Sequence, residues 1–238
     1  MLRLDRYLVD EKLVESREKA QELIAAGFVE VDGKQAIKPA QQLKPDSKVE
    51  LKGRLRYVGR GGVKLESALK RWPISLEGKV CADVGASTGG FTDCLLQNGV
   101  KLIYAIDVGT GQLHPSLHNH PQIILMEKTN VRYLESLPEQ MDMVTIDVSF
   151  ISLRLILPSV QRWLSPGAEV WALLKPQFEA PHKTHKGIIR EISLREKIRS
   201  DFVVWCGVNG WDVKETFLCP IAGEEGNREH WVRMSRKD

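Results

Sequence analysis

The sequence predicts an α/β protein in which a small α+β domain precedes a doubly wound, mostly parallel sheet. Short apolar runs recur through residues 80–234 with helical spacing between several of them, a pattern typical of a parallel sheet covered on both faces. A glycine-rich loop at residues 85–90 separates the first run from a helical pattern. Residues 1–52 have a different pattern, which predicts two helices followed by short strands.

The composition fits a protein with a sizeable core. Its 238 residues are 42% hydrophobic, enough for one large domain or a domain with a small module. No apolar run approaches the roughly 18 residues that a membrane helix needs, and no apolar signal region opens the chain. The cysteines form no C-x-x-C pair and predict buried free thiols, so we expect a cytoplasmic protein: Cys81, Cys94, Cys206 and Cys219.

The first 52 residues predict a small module. Apolar residues recur at near-helical spacing over residues 2–14, and Ser16 is placed to cap a second helix that ends at Gly27. Residues 28–51 alternate as short strands around an Asp32-Gly33 hairpin turn. A module of this size buries little apolar area, so we expect it to depend on the larger domain for part of its stability.

The run Ser-Arg-Glu-Lys-Ala-Gln-Glu-Leu-Ile-Ala-Ala-Gly-Phe-Val-Glu-Val-Asp-Gly-Lys at residues 16–34 resembles the RNA-binding module named after a small-subunit ribosomal protein. The resemblance covers about residues 2–52 and implies an RNA-binding domain over residues 1–52. It implies RNA contacts from these basic residues: Arg3, Arg6, Arg17, Lys19 and Lys34. The alternative for Arg17 and Lys19, solvent-side charges that pair along a helix, stays open.

Positive charge is concentrated in two stretches. Residues 34–60 hold eight basic side chains against two acidic ones, and their end, residues 53–62, forms a glycine-rich predicted linker. A second basic stretch over residues 180–199 includes Lys183 and Lys186. Charge runs are often plain solvated surface, but runs this one-sided beside a nucleotide-type domain favour a polyanionic partner such as RNA.

The glycine loop predicts a ligand site, because it joins a strand end to a helix start at the carboxyl edge of an open sheet. Its spacing, G-x-x-x-G-G, differs from the G-x-G-x-x-G fingerprint and disfavours a pyrophosphate. Asp83, before the first glycine, suits a cationic ligand such as S-adenosylmethionine, which carries an ammonium and a sulfonium. A plain glycine-rich turn is the alternative.

Asp107 strengthens the cofactor prediction, because it ends the next strand at a position where an acid reaches ribose hydroxyls in nucleotide-type folds. We therefore predict a Rossmann-like domain that binds S-adenosylmethionine. The candidate cofactor-binding residues are Asp83, Gly85, Ala86, Ser87, Thr88, Gly89, Gly90, Phe91, Asp107 and Asn130.

Two further strand ends carry candidate chemistry. Asp147 and Lys175 each follow an apolar run and are expected at the same edge as the glycine loop. Taken singly, they could be a helix cap and a surface lysine. With Lys64 and Glu229 they resemble the Lys-Asp-Lys-Glu tetrad of the FtsJ-like ribose 2′-O-methyltransferases.

The chain as a whole resembles the TlyA family, often labelled hemolysin A, with a catalytic domain over residues 63–238. The segments that carry the resemblance are Arg60-Gly-Gly-Val-Lys64-Leu, Asp83-Val-Gly-Ala-Ser-Thr-Gly-Gly-Phe-Thr, Asp147-Val-Ser-Phe-Ile-Ser, Leu174-Lys175-Pro-Gln-Phe-Glu and Gly226-Asn-Arg-Glu229. Thr88 stands where FtsJ-like enzymes more often have proline.

The resemblance implies methyl transfer from S-adenosylmethionine to a ribose 2′-hydroxyl of ribosomal RNA, at a cytidine. We assign Lys175 as the base. We expect like-charge repulsion from Lys64 and desolvation to lower its pKa, Asp147 to oppose that shift but orient the amine, and Glu229 to complete the hydrogen-bond network. Ribosomal RNA or ribosomal subunits are the expected partners, and we expect a monomer or a weak homodimer.

Three other functions were weighed. A membrane-damaging protein is disfavoured because no export signal, membrane-length run or disulfide framework is present. A non-catalytic ribosome-binding factor stays open. Methylation of a base is disfavoured, since the Asn-Pro-Pro-aromatic pattern is missing. We expect no metal, because the loop histidines lack ligand spacing: His114, His118, His120, His182 and His185.

Overall fold

The structure, a computed structural model, describes residues 2–53, 55–180, 187–223 and 226–237. The chain divides into two units, Met1–Arg60 and Gly61–Asp238, and the division falls within the predicted linker of residues 53–62. Each unit has its own buried apolar cluster.

The N-terminal unit combines two helices with five short strands. Its elements are β1 (Leu2–Arg3), α1 (Leu4–Asp10), α2 (Arg17–Ala25), β2 (Val29–Val31), β3 (Lys34–Gln35), β4 (Gln42–Leu43) and β5 (Val49–Leu51). β2 lies between β3 and β5 in an antiparallel sheet, and β1 pairs with β4. The predicted helix over residues 2–14 is therefore too long, because its first two residues pair as a strand and α1 ends at Asp10.

The predicted helix cap, helix end and hairpin turn of this unit are confirmed. The Ser16 hydroxyl accepts a hydrogen bond from the Lys19 N–H at 3.2 Å and so caps α2. Gly27 follows the helix with φ +79°, the left-handed conformation that favours glycine. Asp32 and Gly33 both have positive φ, as a tight hairpin turn requires.

Helix α3 (Arg60–Arg71) begins inside the predicted linker of residues 53–62. The glycines that suggested a linker are instead points of close approach. A Cβ on Gly61 would lie 3.2 Å from the Phe91 ring, and a Cβ on Gly90 would lie 2.8 Å from the Gly62 nitrogen. Here the glycines allow two helix starts to pack together.

The second unit is built on one seven-stranded sheet. After α3 come β6 (Val80–Val84), α4 (Gly90–Gln97), β7 (Leu102–Ile106), β8 (Ile123–Met126), β9 (Met141–Ile146), α5 (Leu157–Val160), β10 (Leu164–Leu174), α6 (Pro176–Glu179), α7 (Ile192–Val208), β11 (Trp211–Leu218) and β12 (His230–Arg236). The strand order is β11-β12-β10-β9-β6-β7-β8. The five strands from β10 to β8 are parallel, whereas β12 and β11 add antiparallel pairs. The predicted mostly parallel α/β fold is confirmed.

The strand–helix alternation is weaker than predicted beyond β7. Only three-residue 3₁₀ turns, at Pro115–Leu117 and Val131–Tyr133, are found in the connections on either side of β8. Two side chains of β8, Ile124 and Leu125, are consequently 39% exposed each. The sheet is covered best at its centre, where β6, β7, β9 and β10 share one buried cluster.

The sheet topology gathers four loops at one edge. The carboxyl ends of the parallel strands β6, β7, β9 and β10 meet there. β12 runs antiparallel to β10 and pairs His230 with Leu174, so its first residue lies at the same edge. Glu229, which directly precedes β12, thereby arrives beside Lys175, which directly follows β10.

Gly85→Ala should destabilise the protein more than Gly78→Ala. Both glycines have positive φ, +84° and +71°, which costs an alanine roughly 1–2 kcal/mol. A Cβ at Gly85 would also lie 2.7 Å from the Asp147 carbonyl oxygen, whereas nothing lies within 4 Å at Gly78. Overpacking adds about 1–3 kcal/mol, so urea unfolding should separate the variants by that amount. Equal losses would show that the close approach at Gly85 is unimportant.

Candidate active site

A cavity of about 310 Å³ opens at the carboxyl edge of the sheet, within the size range of small-molecule sites. Its walls come from four strand ends. They are formed by Val84, Gly85, Ser87, Ile106, Asp107, Val108, Gln112, Thr129, Asn130, Val131, Asp147, Val148, Ser149, Phe150, Ile151 and Ile156. Four of the predicted cofactor residues are among them: Gly85, Ser87, Asp107 and Asn130.

The glycine loop is fixed from both sides. Its Gly85 and Ala86 N–H groups donate to the Ile106 carbonyl at 2.8 and 3.1 Å. Gly89 has φ +90°, and a Cβ there would lie 2.5 Å from Leu117. A side chain at Gly89 would therefore push the loop away from the segment that covers it, and one at Gly85 would meet the Asp147 carbonyl after β9.

Asp107 organises the loop from the neighbouring strand. Its carboxylate accepts hydrogen bonds from the Ser87 N–H at 2.8 Å and from the Gly109 N–H at 2.7 Å. The side-chain oxygen of Asn130 accepts from the Arg132 N–H at 3.1 Å. Both side chains thus stand at the cavity wall in orientations set by nearby backbone donors.

Asp83 differs from the sequence-based expectation. Its carboxylate is fully buried and accepts a hydrogen bond from the Thr92 hydroxyl at 2.6 Å, so it faces α4 and is not among the cavity-lining residues. The alternation of β6 explains this, because Ala82 and Val84 face the central cluster and Asp83 faces the other side. Burial raises the pKa of Asp83 to about 7.

The remaining loop residues also lie away from the cavity walls. Phe91 is 3% exposed and stacks on Trp231 with a centroid distance of 5.6 Å. Ala86 is buried, whereas Thr88 is exposed and its carbonyl accepts from the His114 N–H at 3.1 Å. Gly89 and Gly90 serve close packing, as described above.

Lys175, Asp147, Lys64 and Glu229 form a chain of alternating charge beside the cavity. The Lys175 Nζ lies 2.6 Å from Asp147 Oδ1, and the Lys64 Nζ lies 3.5 Å from Asp147 Oδ2 and 2.8 Å from Glu229 Oε2. Both lysines are 8% exposed and Glu229 is 2% exposed. The structure thus brings together all four residues singled out from the sequence.

Opposite charges determine the ionisation of this chain. Burial alone would lower the pKa of Lys64, but the carboxylates of Asp147 and Glu229 outweigh it, and the pKa is raised. Burial alone would raise the pKa of Asp147, but Lys175 and Lys64 outweigh it, and the pKa is lowered. The two shifts thus favour the charged forms of Lys64 and Asp147, which attract each other within the chain.

Two residues of the site were missed by sequence reasoning. The Ser149 hydroxyl accepts a hydrogen bond from the Lys175 Nζ at 3.0 Å, in addition to the 2.6 Å ion pair between Lys175 and Asp147. Phe150 is 89% exposed with φ +66° and lines the cavity, and its ring lies 5.3 Å from that of Phe178. An aromatic residue immediately after a polar strand end was the available signal.

The predicted RNA-binding residues of the N-terminal unit differ in the groups that their side chains contact. Arg3 and Arg17 both donate to the buried carboxylate of Asp5, at 2.8 and 3.0 Å, and remain 39% and 49% exposed. The Lys19 ammonium instead donates to the Val58 carbonyl at 2.7 Å.

Arg6 and Lys34 are exposed. Lys183 and Lys186 lie outside the described residues.

The described residues contain neither a candidate metal site nor a candidate membrane span. These hold no group of three histidine, cysteine, aspartate or glutamate side chains that could bind a metal. No helix among them is both long and apolar enough to cross a bilayer. All four cysteines are buried free thiols, as predicted.

Comparison with known proteins gives two family matches. Residues 57–236 match the FtsJ-like methyltransferase family, and residues 2–49 match the S4 domain. A Mycobacterium tuberculosis protein named 16S/23S rRNA (cytidine-2′-O)-methyltransferase TlyA is 37% identical over 97% of this chain and 89% of its own. Hemolysin A from Brachyspira hyodysenteriae is 41% identical over 96% of this chain and 98% of its own. A solved hemolysin-type structure from Streptococcus thermophilus is 41% identical with a TM-score of 0.78, over 100% of this chain and 89% of that one.

Asp83→Asn should remove a pH dependence of stability. Because the folded-state pKa of about 7 lies above the unfolded value of about 3.9, the folded state binds this proton more tightly, and its stabilising effect is lost as pH rises through 7. Between about pH 5.5 and pH 8 the wild-type free energy of unfolding should fall by about 2 kcal/mol more than that of the variant. Urea unfolding at the two pH values measures the difference. Parallel behaviour of the two proteins would contradict the buried-acid interpretation.

Proposed function

Because the chain belongs to the TlyA family of FtsJ-like methyltransferases, we propose that it methylates a ribose 2′-hydroxyl of ribosomal RNA, at a cytidine, with S-adenosylmethionine as the methyl donor. The observation that carries the proposal is the buried chain Lys175–Asp147–Lys64–Glu229 at the mouth of the cavity. A hydroxyl brought to this edge would meet an amine already held in position by its neighbours.

The cavity fits the methyl donor in size and in the chemistry of its walls. Asp107 and Asn130 offer polar side chains at adjoining strand ends, where ribose hydroxyls could bond. Gly85 borders the cavity, and its missing Cβ lets the loop pack against the Asp147 carbonyl at the cavity wall. When bound, S-adenosylmethionine supplies a methyl group already activated by its sulfonium.

The protein's own task is alignment and removal of one proton. With the methyl donor bound, Lys175, after losing its own proton to solvent, would accept the proton of the 2′-hydroxyl as the oxygen takes the methyl group, and the carbon–sulfur bond would break to release S-adenosylhomocysteine. Ser149 and Asp147 fix the direction of the amine. Lys64 and Glu229 hold Asp147 in place, since each carboxylate of the chain bonds a lysine.

Two features support an RNA substrate. The S4-type unit carries arginines whose guanidinium groups are oriented by Asp5 yet remain partly exposed, which suits phosphate binding. Phe150, exposed at the cavity mouth, suits stacking with an unpaired base. Ribosomal RNA or a ribosomal subunit as substrate implies a cytoplasmic enzyme, and a monomer or weak homodimer would suffice, since one chain supplies the whole tetrad.

Lys175→Ala should lower methylation of ribosomal RNA by about 10²–10⁴-fold, the range of general acid–base catalysis, with little change in cofactor affinity. Lys175→Arg should not restore activity, because a guanidinium stays protonated at neutral pH. Transfer of label from S-adenosylmethionine to under-methylated ribosomal subunits measures turnover, and calorimetry measures affinity.

Lys101→Ala serves as the matched control, since Lys101 is an exposed lysine of the same domain outside the site. An arginine variant with near-normal turnover on saturating RNA would overturn the base assignment and leave Lys175 as a positioning charge. An inactive wild-type protein would instead favour the non-catalytic ribosome-binding alternative.

Arg17→Ala should weaken RNA binding chiefly through its salt dependence. Each lost phosphate contact lowers the slope of log affinity against log salt by about 0.7–0.9. Lys12→Ala is the control, because Lys12 is an exposed lysine of the same unit that belongs neither to the predicted RNA contacts nor to the basic stretch of residues 34–60. Fluorescence anisotropy with a ribosomal RNA fragment over a salt series gives both slopes. Identical slopes for the two variants would argue against a phosphate contact at Arg17.

A further inference from the structure

The segments that follow the two catalytic strands are joined at their far ends. Residues 147–152 follow β9 and residues 175–179 follow β10, and Asp147 and Lys175, the first residues of the two segments, form an ion pair. At the other ends, the Ser152 hydroxyl donates to Glu179 Oε2 at 2.7 Å and the Leu153 N–H donates to Glu179 Oε1 at 2.6 Å. The Glu179 carboxylate thus links the ends of the two segments.

The side chain of Glu179 is only 1% exposed. Burying a carboxylate costs folding free energy unless its oxygens accept hydrogen bonds. Burial raises the pKa of Glu179, although the bonds from Ser152 and Leu153 act in the opposite direction. The Arg154 Nε lies 3.7 Å from the carboxylate. A leucine of similar volume would carry no desolvation cost here, so what the carboxylate adds is its two hydrogen bonds.

The loop that Glu179 holds forms part of the cavity wall. Val148, Ser149, Phe150 and Ile151 all line the cavity between Asp147 and the Glu179 contacts. At its start the loop is anchored by the Asp147 N–H, which donates to the Val84 carbonyl at 3.0 Å. At its end the anchor is Glu179, the last residue of the four-residue helix α6 that begins directly after Lys175.

We propose that Glu179 is a positioning residue for methyl transfer: it ties the cavity-lining loop after Asp147 to the helix after Lys175. In doing so it fixes Ser149, the hydrogen-bond partner of the Lys175 amine, and Phe150, which packs 5.3 Å from Phe178. This inference rests on the proposed function, since positioning has a consequence only if Lys175 meets a substrate.

Two substitutions separate the carboxylate's bonds from its volume. Glu179→Ala removes both acceptors, and a misplacement of about 1 Å at a reacting group costs about 10²-fold, so we expect kcat to fall between about 10- and 100-fold at saturating RNA. Glu179→Gln keeps an oxygen for the Leu153 N–H and places an amide beside the Ser152 hydroxyl, which can accept. It should retain most of the activity. Ser152→Ala loses one of the two bonds to Glu179, together with the bond that the Ser152 hydroxyl accepts from the Arg154 N–H at 3.2 Å, and should lie between Glu179→Ala and Glu179→Gln.

Glu169→Ala is the matched control. Glu169 is also a partly buried carboxylate with two donors, accepting from Trp171 Nε1 at 2.8 Å and from Arg233 Nε at 2.9 Å. It lies six residues before Lys175 on β10, about 20 Å along a strand. We expect Glu169→Ala to lower stability while its kcat per folded molecule stays at the wild-type value.

Amide hydrogen exchange of the full-length protein over residues 148–153 provides a readout independent of methyl transfer. Glu179→Ala should exchange faster there, and Glu169→Ala should not. Unchanged exchange in Glu179→Ala, or faster exchange with unchanged kcat, would overturn the proposal. If Glu179→Ala does not fold, Ser152→Ala carries the same two tests. An inactive wild-type protein would count against the proposed function and leave exchange to decide whether Glu179 holds the loop.

Discussion

Two lysine ammonium groups buried at one sheet edge repel each other, and the site depends on the carboxylate between them. Asp147 Oδ1 lies 2.6 Å from Lys175 and Oδ2 lies 3.5 Å from Lys64, so each oxygen offsets one charge. Glu229 at 2.8 Å from Lys64 gives the chain equal numbers of each sign. Removing one member would leave a buried charge without a partner, which is costlier than the loss of an exposed pair.

That requirement explains the backbone around the chain. Asp147 reaches its place because β9 ends directly beside β6, and the approach is so close that a Cβ on Gly85 would meet the Asp147 carbonyl. Glu229 reaches its place because β12 runs antiparallel to β10. The glycine loop and the reversed strand therefore serve the charge chain as much as they serve the cavity.

The sequence predicts those site residues whose position depends only on where a single strand ends. Parallel strands end at one edge, so the positions of Asp107, Asp147 and Lys175 followed from apolar runs alone. The orientation of Asp83 did not, because β6 is apolar on both faces and its alternation carries no sign of which face meets α4. The Ser152–Glu179 contact joins residues 27 apart in two irregular segments, where no periodicity exists to reveal it.

The two units use the same arrangement of one carboxylate between two cations, and burial decides what each can do. Asp5 holds Arg3 and Arg17 in the N-terminal unit, and the bonds from these guanidinium groups keep the pKa of its carboxyl well below the usual range. Those guanidinium groups stay 39% and 49% exposed, so their outer donors can meet phosphate. Around Asp147 the cations are lysines with side chains only 10% exposed, and a lysine amine can exchange a proton whereas a guanidinium stays protonated. Arginine at the surface and lysine in the interior therefore give the two clusters different chemistry, although each is organised by one carboxylate.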